Sequence, residues 1–334
     1  MRGPRFAFWG LVFSALLVFG ISERAARAEP IEIKIHHVGA PGSLYDIAFS
    51  EYIRRAQPKL KDLAKITVYG AGKLGDDTTA LEKVKTGEIT IVALTSVMTS
   101  VHDYFGIFDM PFLIRNRDHM KKVRAAIFEP YLKPGAASKG YRLLALWEDG
   151  FRQMTNNVRP IDVPADLKGV RMRTPKGVWR VKMFESYGAT AVPVNFPEVY
   201  AGLKSGEKID GQETPLSFID SSKFYEVQKY LTISNHVYFP FFIVAGEENF
   251  AKLPKKVQKV LTDTALEMQD WTLDLGEKLD LALIERLKQY MQVNEADVLA
   301  FTIQSQAIFK EYAKTTPATR NLLRVVFKLT PKTS

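Results

Sequence analysis

The sequence predicts an α/β protein of two domains with one long helix lying across both. Three observations carry that expectation. The chain has 334 residues, enough for two domains of about 150 residues each. Strand-like and helix-like segments alternate from Ile31 onward, which implies parallel sheets with right-handed crossovers. From Pro254 to about Tyr290 there is no internal proline, only Gly276 interrupts, and apolar residues recur at helical spacing. A helix of that length far exceeds the mean of about 11–12 residues. Two helices with a tight join would also fit; one long helix, bent near Gly276 and bridging two domains, is the sharper reading.

The elements follow in order. Ile31–Val38 alternates apolar and polar residues as a strand. Ala40-Pro41-Gly42-Ser43 breaks it, Ser43 can cap the next helix, and Leu44–Ala56 reads as that helix. Ile66–Tyr69 is a short strand and Gly70–Gly75 a turn. Asp76-Asp77-Thr78 starts a helix with Leu81 and Val84 facing inward, ending at Gly87. Ile89–Leu94 is rich in Ile and Val, typical of a strand buried on both faces. Tyr141–Trp147, Gly169–Thr174 and Tyr238–Ala245 read as further strands, and Trp179–Tyr187 and Pro197–Lys204 as helices.

Composition excludes several classes. Cysteine is absent, so disulfide frameworks, thiolate metal sites and cysteine nucleophiles are excluded. The N-terminus has the three-part layout of a secretory signal: Arg2 and Arg5, an apolar run from Phe6 to Ile21, then Ala26-Arg27-Ala28 as a cleavage site. The run is short for a membrane anchor, which needs about 20 residues. No twin arginine is present, so the general secretory route is expected. Residues 1–28 hold Arg2, Arg5, Arg24 and Arg27 against Glu23, and their removal takes the formal charge from +9 to +6. The remaining charge is spread out, without basic blocks and interleaved aromatics, so nucleic acid is not an expected partner. A soluble, exported, cysteine-free chain fits a bacterial periplasm.

Enzyme signatures are missing. There is no GxGxxG, no phosphate loop, no GxSxG elbow, no HExxH and no EF-hand loop. His36 and His37 are adjacent, and neighbouring strand residues point to opposite faces, so a shared metal is not expected. No catalytic residues, metal or other cofactor are expected.

Four segments stand out together. They are Gly72-Lys73-Leu74-Gly75-Asp76-Asp77, Asp109-Met110-Pro111-Phe112-Leu113, Trp147–Asn156 followed by Asp166–Pro175, and Val192–Gly206 followed by Ile209–Pro215. The ordered set resembles the substrate-binding protein of a tripartite ATP-independent periplasmic (TRAP) transporter, of the dicarboxylate-binding-protein type. It covers essentially the whole chain after the signal. The resemblance implies a two-domain periplasmic binding protein fold with a hinge and a carboxylate ligand in the cleft. It also implies membrane partner subunits that import the ligand on an ion gradient. The expected division is residues 1–28 as signal peptide, 29–151 plus 240–285 as the first domain, and 152–239 plus 286–334 as the second. A sensor module presenting an organic acid to a signalling receptor is the alternative.

The resemblance assigns roles residue by residue. Arg173, in Gly169-Val170-Arg171-Met172-Arg173-Thr174-Pro175, matches the family's carboxylate clamp. A guanidinium suits that task because its parallel donors fit a carboxylate and its charge does not titrate away. Alternation puts Arg171 on the same side of the strand, so the pattern alone does not choose between them; the family match does. Arg152 follows the Trp-containing strand as a second ligand contact, with a salt bridge to Glu148, Asp149 or another acid as its other reading. Thr214 stands where many relatives have Asn, so its contact is in question. Phe196 is expected as an apolar wall, with core packing as the other reading. His37, Asp77 and Ser96 are expected to face the cleft from the first domain, although Asp77 could serve only as an N-cap. Trp147, Tyr238 and Phe241 near the cleft favour a monocarboxylate with an apolar or aromatic body, with a C4 dicarboxylate still open.

Overall fold

The computed structural model describes residues 29–331, together with Met1 and Gly3. The expected signal, residues 1–28, therefore lies outside the described residues apart from those two. Nine strands form one mixed sheet: β1 (Ile31–His36), β2 (Ala64–Tyr69), β3 (Ile91–Leu94), β4 (Tyr141–Asn156), β5 (Arg171–Thr174), β6 (Thr190–Pro193), β7 (Gly211–Pro215), β8 (Tyr230–Gly246) and β9 (Gln292–Glu295). Their order is β2-β1-β3-β8-β4-β7-β5-β6, with β9 also on β8.

The expected parallel pairings are present at both ends. β1 lies parallel to β2 and β3, and β5 parallel to β6 and β7. Between them run two antiparallel strands much longer than the sequence suggested. β4 has 16 residues and β8 has 17. One half of the β4–β8 ribbon carries β3, β1 and β2; the other half carries β7, β5, β6 and β9. The molecule is thus two α/β halves that share one ribbon. The ladder slips between Glu148 and Gly150 and again between Arg152 and Met154. Gly150 has φ +114°, open to glycine because it lacks a Cβ. These irregularities bend the ribbon where the halves meet.

The long helix is continuous from Lys255 to Leu287, 33 residues, or about 50 Å at 1.5 Å per residue. Val257, Leu261, Ala265 and Met268 pack with β1, β3 and the helix Leu44–Leu60. Leu287 packs with Val199, Leu203 and Ile209 of the other half. One helix therefore contributes to the cores of both halves. Gly276 lies against Glu148: a Cβ there would sit 2.5 Å from the Glu148 Cγ. Its role is close approach of helix to ribbon. No helix among the described residues is long and apolar enough to cross a membrane.

The other large core lies on the opposite side of the sheet. Phe105, Phe108, Phe239 and Phe242 interlock there, and Tyr312, from the C-terminal helices, packs edge-on to Trp179. These C-terminal helices had no counterpart in the sequence reading. Neither did β6, β7 and β9, whose 4–5 residue spans carry little periodicity.

Candidate functional site

The site lies where strand ends from both halves converge beside the ribbon. Its cavity is lined by Val38 and Tyr45 near the first strand, Asp77 and Thr95, Asp149 and Arg152 on β4, and Arg173, Phe196 and Thr214 from the other half. Pro175 and Phe218 complete the wall. The cavity is small, about 40 Å³.

Arg173 sits at the end of β5, the position where open α/β sheets bind ligands. Its Nε donates to the Val194 carbonyl at 2.9 Å, which fixes the plane of the fork. Its guanidinium carbon lies 5.7 Å from the Phe196 ring centroid. No acceptor among the described residues is bonded to its two terminal nitrogens. Burial pushes its pKa down to about 10; Glu213 opposes the shift and Arg152 adds to it. It therefore remains charged at neutral pH, in surroundings that favour an anion. Arg171, its rival by alternation, turns to the surface and pairs with Asp210.

Arg152 combines both readings considered for it. It lines the cavity, yet its donors are committed. Nε donates to Glu213 at 2.5 Å, Nη2 to the Glu213 carbonyl at 2.8 Å, and Nη1 to Asp149 at 3.0 Å. Its acids are Asp149 and Glu213, not Glu148. Glu213 also accepts from Arg180 at 2.7 Å, and Arg180 reaches on to Asp109 at 2.8 Å. Burial raises the Glu213 pKa, but Arg152 and Arg180 outweigh it and hold the carboxyl well below the usual range. This charge network anchors Arg152 from behind.

Asp76, not Asp77, caps the helix Asp77–Thr86, accepting from the Thr79 N–H at 2.8 Å. Asp76 also accepts from Asn195 Nδ2 at 2.6 Å, a contact between the cleft's two lips. Asp77 is left facing the cavity. Burial raises its pKa to about 7, with Arg173 opposing the shift. Asp149 is raised to about 6, again by burial, opposed by Arg152 and a Tyr45 hydrogen bond. Thr214 pairs with Gln153 in the ladder and lines the wall. Phe196 stands edge-on to Phe218 at 5.2 Å between ring centroids.

Four of the expected residues lie elsewhere. His37 stacks on Phe49, centroids 5.4 Å apart, and its neighbour Val38 reaches the cavity instead. Ser96 is buried near Gly177 while Thr95 lines the cavity. In each case an adjacent residue faces the cleft, Val38 after His37 and Thr95 before Ser96. Trp147 packs on Phe49, Tyr52 and Phe241 and donates Nε1–H to the Ala265 carbonyl at 2.7 Å. The Tyr238 hydroxyl donates to Glu148, part of a buried cluster with Arg117. These aromatics, with Phe241, belong to the layers between sheet and helices, because a 16-residue ribbon strand is covered on both faces. They do not support an aromatic ligand. Tyr45, Arg180 and Glu213 were not singled out from sequence, and Asp149 was named only as an acid for Arg152. Glu213 and Asp109 did lie within the four marked segments, as acids between apolar or turn residues; Tyr45 carried no such signal.

Comparison with known proteins accords with this geometry. The model of the bacterial extracellular solute-binding protein family 7 (DctP) matches residues 35–316. The chain belongs to that family. It is 27% identical over 322 residues to the 2,3-diketo-L-gulonate-binding periplasmic protein YiaO of Escherichia coli, covering 95% of this chain and 97% of that protein. A crystal structure of the sugar acid binding protein DctPAm from Advenella mimigardefordensis, in complex with galactonate, superposes with TM-score 0.86 at 28% identity over 90% of this chain and 99% of the other. A TRAP periplasmic solute-binding protein from Sulfurospirillum deleyianum, with bound succinate, superposes with TM-score 0.85 at 25% identity over 90% of this chain and all (100%) of the other. The fold is the two-domain periplasmic binding protein fold.

Proposed function

We propose that this chain captures a small organic acid by its carboxylate in the periplasm and delivers it to the membrane subunits of a TRAP transporter. The observation that carries the reading is Arg173: a buried guanidinium on the cavity wall, fixed through Nε, with no acceptor bonded to its two terminal nitrogens among the described residues. A bidentate carboxylate is the partner that such a fork fits. The relatives named for 2,3-diketo-L-gulonate, galactonate and succinate binding support an acid as ligand.

Capture proceeds by hinge motion. At about 40 Å³ the closed cavity has room for only a few water molecules by volume, so an acid of four carbons enters when the lips part. The moving bodies are residues 29–151 with 240–285, and 152–239 with 286–334. Arg173 receives the carboxylate, Phe196 and Thr214 line the wall beside it, and Arg152 holds the local charge. Asp77 then meets the ligand from the other lip, favouring closure because that contact exists only in the closed state. Membership of an extracellular solute-binding family supports a location outside the cytoplasm, and an export signal at residues 1–28 would bring the chain there.

The test is a thermal-shift screen of organic acids followed by titration calorimetry on Arg173→Ala. Charge-assisted hydrogen bonds contribute about 1.5–3 kcal/mol each, so affinity should fall roughly 10- to 150-fold for each bond lost. Wild-type affinity in the variant, or stabilisation by sugars and amines but by no acid, would sink the assignment.

A further inference from the structure

Arg173 offers its terminal donors to one carboxylate, and of the two acids that share the cavity Asp77 is the one without a hydrogen-bond donor among the described residues. Arg152 is committed to Glu213 and Asp149, and Arg180, fully buried, to Glu213 and Asp109. Arg173 is therefore the guanidinium with terminal donors left for a ligand. Asp77 and Asp149 share the cavity with it. An ionised carboxylate only accepts hydrogen bonds. A second ligand carboxylate would meet Asp77, and the further cation nearby, Lys176, is exposed on the lip beside Asp76. An unsubstituted apolar chain would leave Asp77 without a donor in a closed cleft, which is also costly. Hydroxyl groups answer both problems, since they donate and carry no charge. An α-ammonium would also donate, but it lies beside the carboxylate and so against Arg173 and Arg152. Asp76 does not compete for this role, because it caps its helix and accepts from Asn195.

We infer that the ligand is a hydroxylated monocarboxylate of the aldonate type, its carboxylate on Arg173 and a hydroxyl donating to Asp77. Asp77 is the residue that rejects a second carboxylate. This deepens the carboxylate-capture reading and rests on it. The raised pKa of Asp77 accords with a carboxyl group short of donors.

The experiment is calorimetry on the ligand-free mature chain at pH 7.5 with acids of matched length. The four-carbon set is threonate, butyrate, succinate and 2-aminobutyrate; the six-carbon set is gluconate and adipate. In at least one length, the aldonate should bind about 30-fold or more tighter than the dicarboxylate and the unsubstituted acid, because a site built to bond hydroxyls rejects analogues lacking them. Asp77→Asn removes charge and leaves the Asp76 cap in place, and it should narrow the aldonate-to-dicarboxylate ratio at least tenfold. Succinate or adipate binding as tightly as the aldonate, or 2-aminobutyrate binding tighter than threonate, overturns this inference and leaves carboxylate capture standing. An unchanged ratio in Asp77→Asn overturns the role of Asp77. No binding by any acid removes both readings.

Discussion

Two adjacent histidines meet different surroundings at the end of β1. The ring nitrogens of His36 face the Tyr69 and Gly75 carbonyls at 2.8 and 3.1 Å. His37 lies between Phe49 and Tyr45, and neither ring nitrogen has a well-formed hydrogen bond among the described residues. Burial pushes its pKa down to about 4; Asp46 opposes and His36 adds to the shift. The folded state therefore keeps His37 neutral, while the unfolded chain takes up a proton below its ordinary pKa of about 6.5. This stability is full above pH 6.5 and is lost as pH falls toward 4. His37→Phe preserves the stack and removes the titration. Its stability relative to wild type, measured by denaturant midpoints, should rise steadily between pH 6.5 and 4.5. A flat difference would mean that His37 charges without cost in the folded protein.

At the scale of elements, the contact between the long helix and the β4–β8 ribbon organises the hinge. Gly276 lets the helix approach Glu148, whose carboxylate accepts from Tyr238 and pairs with Arg117; Arg117 in turn pairs with Asp280 on the helix. Alanine is better than glycine in a helix interior by about 1 kcal/mol. Even so, Gly276→Ala should destabilise by about 1–3 kcal/mol, because the added methyl overpacks a buried, hydrogen-bonded side chain. Chemical denaturation would show it. Equal or higher stability would mean that Glu148 can move aside freely.

At the scale of the molecule, the two halves touch across the cleft through Asn195 and Asp76, and through Pro197, which sits near Gly72. Such contacts tie the two halves together across the cleft. Asn195→Ala should shift the ligand-free population toward the open form, seen as a larger radius of gyration in solution X-ray scattering. Saturating ligand should restore compactness. An unchanged profile would assign closure to other contacts. Ligand binding should also raise the thermal midpoint by mass action.

Much of the fold was legible in sequence because it rests on local patterns. The alternation at Ile31–Val38, the Ile/Val run before Leu94 and the uninterrupted apolar spacing after Pro254 each announce an element through burial of one face or stripe. The sequence by itself determined an α/β chain with a long helix, and motif matches singled out Arg173, Arg152 and Asp77. Only the tertiary structure decided which neighbour faces the cleft, Val38 or His37, Thr95 or Ser96, because one residue of register reverses a side chain. It alone turned two strands of seven and eight residues into a shared ribbon, since the added residues gain their burial from distant strands. It alone committed Arg152 to Glu213 and Asp149, because those charges meet by long-range pairing of β4 with β7 and by a bend at Gly150. That pairing, which no local pattern records, leaves Arg173 with the terminal donors free for a ligand.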